Sequence, residues 1–201
     1  MLICRRPRPG FSLLELMVVL AIIGFLTALG LPAVGNWMGD TRLRAAAESL
    51  ANQVRLAQAM AVSRNRVGVI VLTNSTPAYN ATPVANGTGW FVVLDPLSSE
   101  TLDGTAMLYS STEARQHGVS INGPAMVCFN SLGQQTVNLT TALNASVTCA
   151  TPGTDDTSPS YYELSRTGAQ RKFRVLVYSG GRVRMCDAAK TLSTTNPDGC
   201  P

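Results

Sequence analysis

The sequence predicts an α+β fold: a long N-terminal α-helix, its first half suited to a membrane and its second half amphipathic, packed on an antiparallel β-sheet domain. Three observations carry this reading. Residues 11–34 are apolar apart from one carboxylate, residues 41–65 repeat apolar side chains at helical spacing, and the rest alternates short β-branched and aromatic runs with loops rich in Gly, Pro, Asn and Thr. A chain of 201 residues, 45% of them hydrophobic, suits one folded domain plus an appendage.

The N-terminal element comes first. Arg5, Arg6 and Arg8 precede Gly10, and the apolar run begins immediately after, at Phe11. From Phe11 to Val34 a helix would extend about 36 Å at 1.5 Å per residue, enough to cross a hydrocarbon core of about 30 Å. An ordinary secretory signal has a shorter apolar region with a small-x-small site behind it; here the natural cut lies in front of the run. The arginines place this end in the cytoplasm and the remainder on the other side. Glu15 is the only charge within the run. A lone carboxylate in hydrocarbon costs a few kcal/mol, so Glu15 belongs near the interface or beside a partner. Pro32, with Gly30 nearby, predicts a kink or local melting around residues 28–32.

Without the three leader arginines, the net charge of +4 falls to about +1, so overall basicity says little about partners. In the second element, Leu43, Ala46, Ala47, Leu50, Val54, Ala57 and Ala61 recur at spacings of three and four, while Arg42, Arg44, Glu48, Gln53 and Arg55 fall mostly elsewhere. This stripe should lie on a sheet. Asp40 or Thr41 could cap a restarted helix.

Strands are expected at 66–72, 89–95, 125–130, 161–165, 172–178 and 182–186, with loops at 73–89 and 140–160. Outside the leader segment, which holds Cys4, the cysteines number four: Cys128, Cys149, Cys186 and Cys200. That count suits two disulfides in an oxidising compartment, and of three arithmetical pairings the sequence neighbours are the simplest. Asn74, Asn80, Asn86, Asn138 and Asn144 each stand in an N-x-S/T pattern, which reads as polar loop filler.

The stretch "KFRVLVYSGGRVRMCD" permits a register test. With Ser179, Gly180 and Gly181 as a three-residue loop, Tyr178 faces Arg182, Leu176 faces Arg184, and Arg174 faces Cys186. Phe173, Val175, Val177, Val183 and Met185 then share the other face; a two-residue loop would mix the faces. From Arg166 to Lys190, seven basic residues (Arg166, Arg171, Lys172, Arg174, Arg182, Arg184 and Lys190) meet one acid, Asp187. Such a cluster suits phosphate binding with an aromatic alongside, although charge alone favours a solvated sheet face. No catalytic arrangement, cofactor motif or metal-ligand spacing is present: there is no CxxC, and His117 is the single histidine, leaving Ser165 and Ser179 without a base.

"GFSLLELMVVLAIIG" resembles the class III signal of type IV pilins and type II secretion pseudopilins, through Gly10, Phe11, Glu15, Gly24 and Pro32. "AMVCFNSLGQ" and "SGGRVRMCD" resemble the C-terminal strands of the GspH/FimT group of minor pilins and pseudopilins. The resemblance implies a pilin-like fold with one helix running through residue 40. It divides the chain into a leader (1–10), a transmembrane helix (11–34), its amphipathic continuation (35–66) and a periplasmic or extracellular β-rich domain (67–201). A prepilin peptidase would cut between Gly10 and Phe11 and the new amino group of Phe11 would be methylated. Glu15 would then pair with the Phe11 ammonium of an adjacent subunit, with Pro32 curving the helix for assembly. The implied protein is no enzyme. It is a single-pass inner-membrane subunit that joins other pilins or pseudopilins through the helix, is handled by an inner-membrane platform, and supports filament assembly and protein secretion near a filament tip. In the FimT branch a Gly-Arg-x-Arg motif is associated with DNA uptake. Gly181, Arg182, Val183 and Arg184 fit that motif, so the resemblance also offers a DNA receptor acting through Lys172, Arg174, Tyr178, Arg182 and Arg184.

Overall fold

A computed structural model describes residues 10–96, 107–137, 147–154 and 158–201, with side chains described except at 29–34 and 36. Asn138, Asn144, Cys4 and the leader arginines lie outside these residues. The chain divides into two units, Met1–Met38 and Gly39–Pro201. One helix, α1, is assigned over Leu13–Arg64. It runs unbroken through Pro32, so the melting expected at 28–32 is not seen; a single proline removes one amide donor, and the bonds on either side preserve the helix.

In the first unit, the described side chains of α1 are exposed on every side, including Leu13, Leu14, Leu16, Leu20, Ile22, Ile23, Phe25 and Leu26. Thr27 returns its hydroxyl to the carbonyls of Ile23 and Gly24 at 3.0 and 2.9 Å, so it places no unpaired polar group on this surface. Among the described residues no helix is long and apolar enough to cross a membrane. The expected span 11–34 continues into residues 29–34, outside the described side chains.

The second unit is built on the remainder of α1. Leu43, Ala46, Ala47, Leu50, Ala51, Val54, Ala57 and Ala61 are buried, which is the stripe read from the sequence with Ala51 added. Burying each of the larger members contributes about 1.5–3 kcal/mol. Arg44 and Glu48, one turn apart on the exposed side, pair at 2.8 Å. The helix stops where Asn65 turns left-handed (φ 51°) and Arg66 N donates to Ala61 O, a C-terminal cap that asparagine tolerates. Gly68 follows so close beneath Ala57 that a Cβ there would overlap its carbonyl.

The strands are β1 (Gly68–Thr73), β2 (Gly89–Leu94), β3 (Met107–Ser111), β4 (Val119–Asn122), β5 (Met126–Phe129), β6 (Gln135–Thr136), β7 (Ser160–Arg166), β8 (Phe173–Val177), β9 (Val183–Thr191) and β10 (Gly199–Cys200), with a short helix α2 (Glu113–Gln116) before β4. All six expected strands are present. The antiparallel domain divides into two five-stranded sheets, ordered β3-β2-β1-β5-β6 and β10-β9-β8-β7-β4, with β10 parallel to β9. The sheets adjoin where Gln135 N donates to Ser179 O at 3.0 Å.

The helix stripe packs on one face of each sheet, against Ile70, Leu72, Trp90, Val92, Val127 and Phe129 of the first and Tyr162, Leu164, Phe173, Val175 and Val177 of the second. On the other face of the first sheet, Val69, Val71, Phe91, Val93, Met126, Cys128 and Cys149 form a second cluster. β1 and β2 are thus buried on both faces, which is why they read as continuous apolar runs. Cys128 bonds Cys149 and Cys186 bonds Cys200, the neighbour pairing.

Candidate functional site

Two regions carry the candidate residues. At the N-terminal end, Gly10 has open space around it and Phe11 is 85% exposed. α1 starts at Leu13 because Ser12 caps it: Ser12 Oγ accepts from Leu14 N at 3.3 Å and Ser12 O from Leu16 N at 3.1 Å. Glu15 lies in the first turn, three residues after the cap, and its side chain is exposed. Ser12-x-x-Glu15 is therefore a capping-box pattern, and a carboxylate there also meets the positive end of the helix dipole. The sequence held this pattern in plain view, but reading the run as a membrane span obscured it. Pro32 lies within α1 and its side chain is outside the described set.

The second region is the β8–β9 hairpin. Its register is the one expected from a three-residue loop: Arg174 faces Cys186, Val175 faces Met185, Leu176 faces Arg184 and Val177 faces Val183. Tyr178 N donates to Arg182 O at 3.0 Å and Gly181 N to Tyr178 O at 2.8 Å, closing the loop. Gly181 has φ 88°, and a Cβ on it would overlap both the Gly133 carbonyl oxygen and Gln58 Nε2. Gln58, from α1, donates to that same Gly133 oxygen at 2.8 Å. The "SLGQ" and "SGGR" turns therefore touch each other, and the contact requires glycine at 181; Gly133 has φ 79°, and a Cβ on it would press instead on Val62 and Gln58 of α1.

The cations share the sheet face away from the helix, as expected, but most have protein partners. Arg174 Nη2 and Nε both reach Glu163 Oε2 at 2.7 Å, and its guanidinium carbon lies 5.0 Å from the Tyr161 ring centre. Arg182 lies over Tyr178 at 3.9 Å from the ring centre. Tyr178 is only 3% exposed, because Leu176, Cys186 and Cys200 pack around it. Arg184 Nη2 donates to the carbonyls of Pro197 and Gly199 at 2.9 and 3.1 Å, fastening the C-terminal segment over the sheet. Lys190 pairs with Asp198 at 2.6 Å, and that hydrogen bond holds the Asp198 carboxyl below its ordinary value. Lys172 is exposed on its side of the turn into β8.

Elsewhere, Arg166 Nε donates to His117 O at 2.7 Å, and Arg171 N joins Gln170 N in donating to Asp40 Oδ1. His117 itself terminates α2, its amide donating to Glu113 O at 3.0 Å. Asp187 is buried and accepts from Ala189 N at 3.0 Å. Among the described residues no group of three His, Cys, Asp or Glu side chains could hold a metal ion. Within the core, the Tyr162 hydroxyl and the Trp90 indole nitrogen have no hydrogen-bond partner among the described residues. Full burial pushes the Tyr162 hydroxyl far above its ordinary pKa.

Residues 46–181 match the family model of the type II transport protein GspH, and residues 5–31 match the prokaryotic N-terminal methylation motif. No curated protein matches the chain. Two crystal structures of the type IV minor pilin FimU of Pseudomonas aeruginosa (strain PAO1) are similar at 15% identity. One has a TM-score of 0.46, covering 75% of this chain and 92% of that one; the other has 0.44, covering 73% and 94%.

Proposed function

The chain belongs to the GspH family of type II transport proteins, and from that premise we propose that it works as a minor pilin or pseudopilin subunit, cut between Gly10 and Phe11 by a prepilin peptidase and assembled near the tip of a type IV pilus or type II secretion pseudopilus. There it supports filament assembly and protein secretion, with an inner-membrane platform delivering it from a single-pass position whose C-terminal domain is periplasmic.

One observation carries this reading: apart from Glu15, the helix from Leu13 to Leu26 is apolar and exposed around its circumference. A helix apolar on all sides is stable only in lipid or among other apolar helices. Lipid before assembly and neighbouring subunits afterwards supply both. Glu15 then has a second role beyond the cap. Its exposed carboxylate meets the ammonium that cleavage creates on Phe11 of an adjacent subunit, and desolvation within the bundle makes an unpaired partner expensive.

Substitution at Glu15 separates the two roles. Glutamine serves a capping box about as well as glutamate but carries no charge. Glu15→Gln and Glu15→Ala should both be inserted, cleaved and methylated, as read from the mass of the mature N-terminus, and both should be scarce in sheared filaments. Ser12→Ala should incorporate normally. Wild-type incorporation of Glu15→Gln would leave Glu15 as a cap alone.

A second reading, a pilus-associated DNA receptor, draws support from Lys172 and Arg182, the exposed cations of the hairpin. Titration with duplex DNA at two salt concentrations tests it, since phosphate contacts released by Lys172→Ala/Arg182→Ala should flatten the salt slope by about two. An unchanged slope excludes these two residues.

A further inference from the structure

After β9 the chain turns at residues 193–196, where Ser193 and Asn196 exchange backbone hydrogen bonds at 3.2 Å, and returns beside β9 as β10. Of residues 193–201 only Gly199 and Cys200 are buried. The backbone holds this segment lightly: Asp187 N donates to Asp198 O and Leu192 N to Cys200 O, both at 2.8 Å, beside the two-residue pairing of β10. Its oxygens, however, take the cations beneath it. Asp198, its one charge, meets Lys190 at 2.6 Å and lies in the fields of Arg171 and Arg44. The carbonyls of Pro197 and Gly199 accept from Arg184 Nη2. The Cys186–Cys200 disulfide fastens the whole.

We propose that residues 193–201 are a redox-latched cover: closed, they occupy these cations as an internal stand-in for phosphate, and reduction of Cys186–Cys200 opens them so that the face can bind a nucleic-acid backbone. The proposal rests on the DNA-receptor reading for its ligand and adds the control over it. A carboxylate and two carbonyls present to Arg184 and Lys190 the oxygen acceptors that phosphates would present. The cations are paired because the segment is in place, and opening it removes the partners of both at once. Arg184 and Lys190 stand six residues apart on β9, about 20 Å, a span of about six phosphates at about 3.4 Å along one strand. That reach suits a chain of phosphates and exceeds a single ion. A segment with two buried residues and few backbone bonds, once unlatched, opens without the sheet beneath it.

The two disulfides differ in access. Cys128 and Cys149 are packed among Val69, Val71, Phe91, Val93 and Met126. Cys200 lines a surface cavity of about 290 Å³ with Tyr161, Arg174, Leu176 and Pro201. A dithiol reductant entering there attacks Cys200 Sγ through one thiolate and displaces Cys186 as thiolate. Its second thiol resolves the mixed disulfide, so the reductant leaves as a disulfide and its two protons end on Cys186 and Cys200.

The experiment uses the full-length protein in non-ionic detergent micelles. Limiting dithiothreitol with iodoacetamide should modify Cys186 and Cys200 first, and mass mapping isolates the form in which Cys128–Cys149 is intact. In that form the amides of Asp187 and Leu192 should exchange hydrogen at least about tenfold faster, while Val175 and Val177 keep their protection. Its affinity for a short duplex DNA at low salt should rise at least about tenfold over the latched parent, with a salt slope steeper by about two. Lys190→Ala should remove about one from that slope in the opened form and change nothing in the latched one. Cys186→Ser/Cys200→Ser should reproduce the opened form without alkylation. Unchanged exchange at Asp187 and Leu192 overturns the latch, and so does loss of protection throughout β7 and β8, which would make the disulfide a support of the sheet itself. Equal DNA affinity in the two forms overturns the gating and leaves the receptor reading standing, whereas binding in neither form removes both. Poly-glutamate binding the opened form as tightly as DNA would overturn nucleic acid as the ligand.

Discussion

Replacing Gly181 by alanine should be among the most damaging single-methyl changes in this protein, whereas the same change at its neighbour Gly180 should do nothing. Gly181 holds φ 88°, where an L side chain costs about 1–2 kcal/mol. Its new Cβ would overlap Gly133 O and Gln58 Nε2, and relief of that overlap costs about 1–3 kcal/mol more, since the adjoining turns must separate or a hydrogen-bonded side chain must move. The sum is about 2–5 kcal/mol. In a domain of this size each kcal/mol moves the midpoint by about 2–4 °C, so thermal unfolding followed by circular dichroism should show a fall of about 10 °C. Gly180 has nothing within 4 Å of its missing Cβ and no positive φ. Gly180→Ala should therefore fall within about 2 °C of the parent, or rise slightly through the lost freedom of its unfolded chain. A Gly181→Ala protein as stable as the parent, or equal loss at both positions, would refute the claim that the two turns are in contact.

Three further outcomes concern the same surface and the core beneath it. Arg184→Ala deprives two carbonyls of a charged donor and should cost about 1.5–3 kcal/mol in urea unfolding, while Arg182→Ala, losing an exposed ring contact, should cost about 0.5–1 kcal/mol; a reversed order would contradict the clamp at Pro197 and Gly199. Replacing Cys186 and Cys200 together by serine frees a loop of 14 residues' separation and should remove about 3 kcal/mol in the chain-entropy account, with dithiothreitol destabilising the parent further because it also opens Cys128–Cys149; unchanged stability under both would refute it. Tyr162→Phe removes a buried, unpartnered hydroxyl and should leave stability unchanged or raise it by up to about 2 kcal/mol. Its sign with pH is also fixed: the folded pKa is raised, so the stabilisation is complete below the unfolded value near 10 and is lost as pH rises beyond it. Phenylalanine should therefore flatten the alkaline limb of the unfolding curve. A loss of stability in Tyr162→Phe would mean that the hydroxyl has a partner.

The legible stretches of the sequence were those with a long enough period or a strong enough constraint. The stripe from Leu43 to Ala61 repeats over five turns, and the hairpin register was decidable because only one loop length keeps Val175, Val177, Val183 and Met185 on a single face. β3, β4, β6 and β10 went unread: "MLYSS" and "VSIN" are short, mixed edge strands, and two-residue pairings have no period at all. The basic cluster was placed on the right face, yet its charge was overestimated. Its partners Glu163 and Asp198 lie outside the window from Arg166 to Lys190, one brought back by the β7–β8 register and the other by the folded-back C-terminal segment. A window along the chain sees neighbours in sequence, whereas ion pairs in a sheet are neighbours across strands.

Every position of the Gly-Arg-x-Arg motif is structurally engaged in this chain. Gly181 admits the neighbouring turn, Arg182 covers Tyr178, Val183 enters the core and Arg184 clamps the C-terminal segment. The alternation is what any strand needs when one face is core and the other lies under a returning segment. The motif is therefore weak evidence for a ligand wherever its arginines are engaged in this way, and differences in binding must arise from side chains on the same face whose exposure the fold does not require. Tyr161 is such a side chain. A large aromatic group left 42% exposed between two cavities contributes little to the core beneath it, where Tyr162 and Leu164 already fill the inner face of the strand.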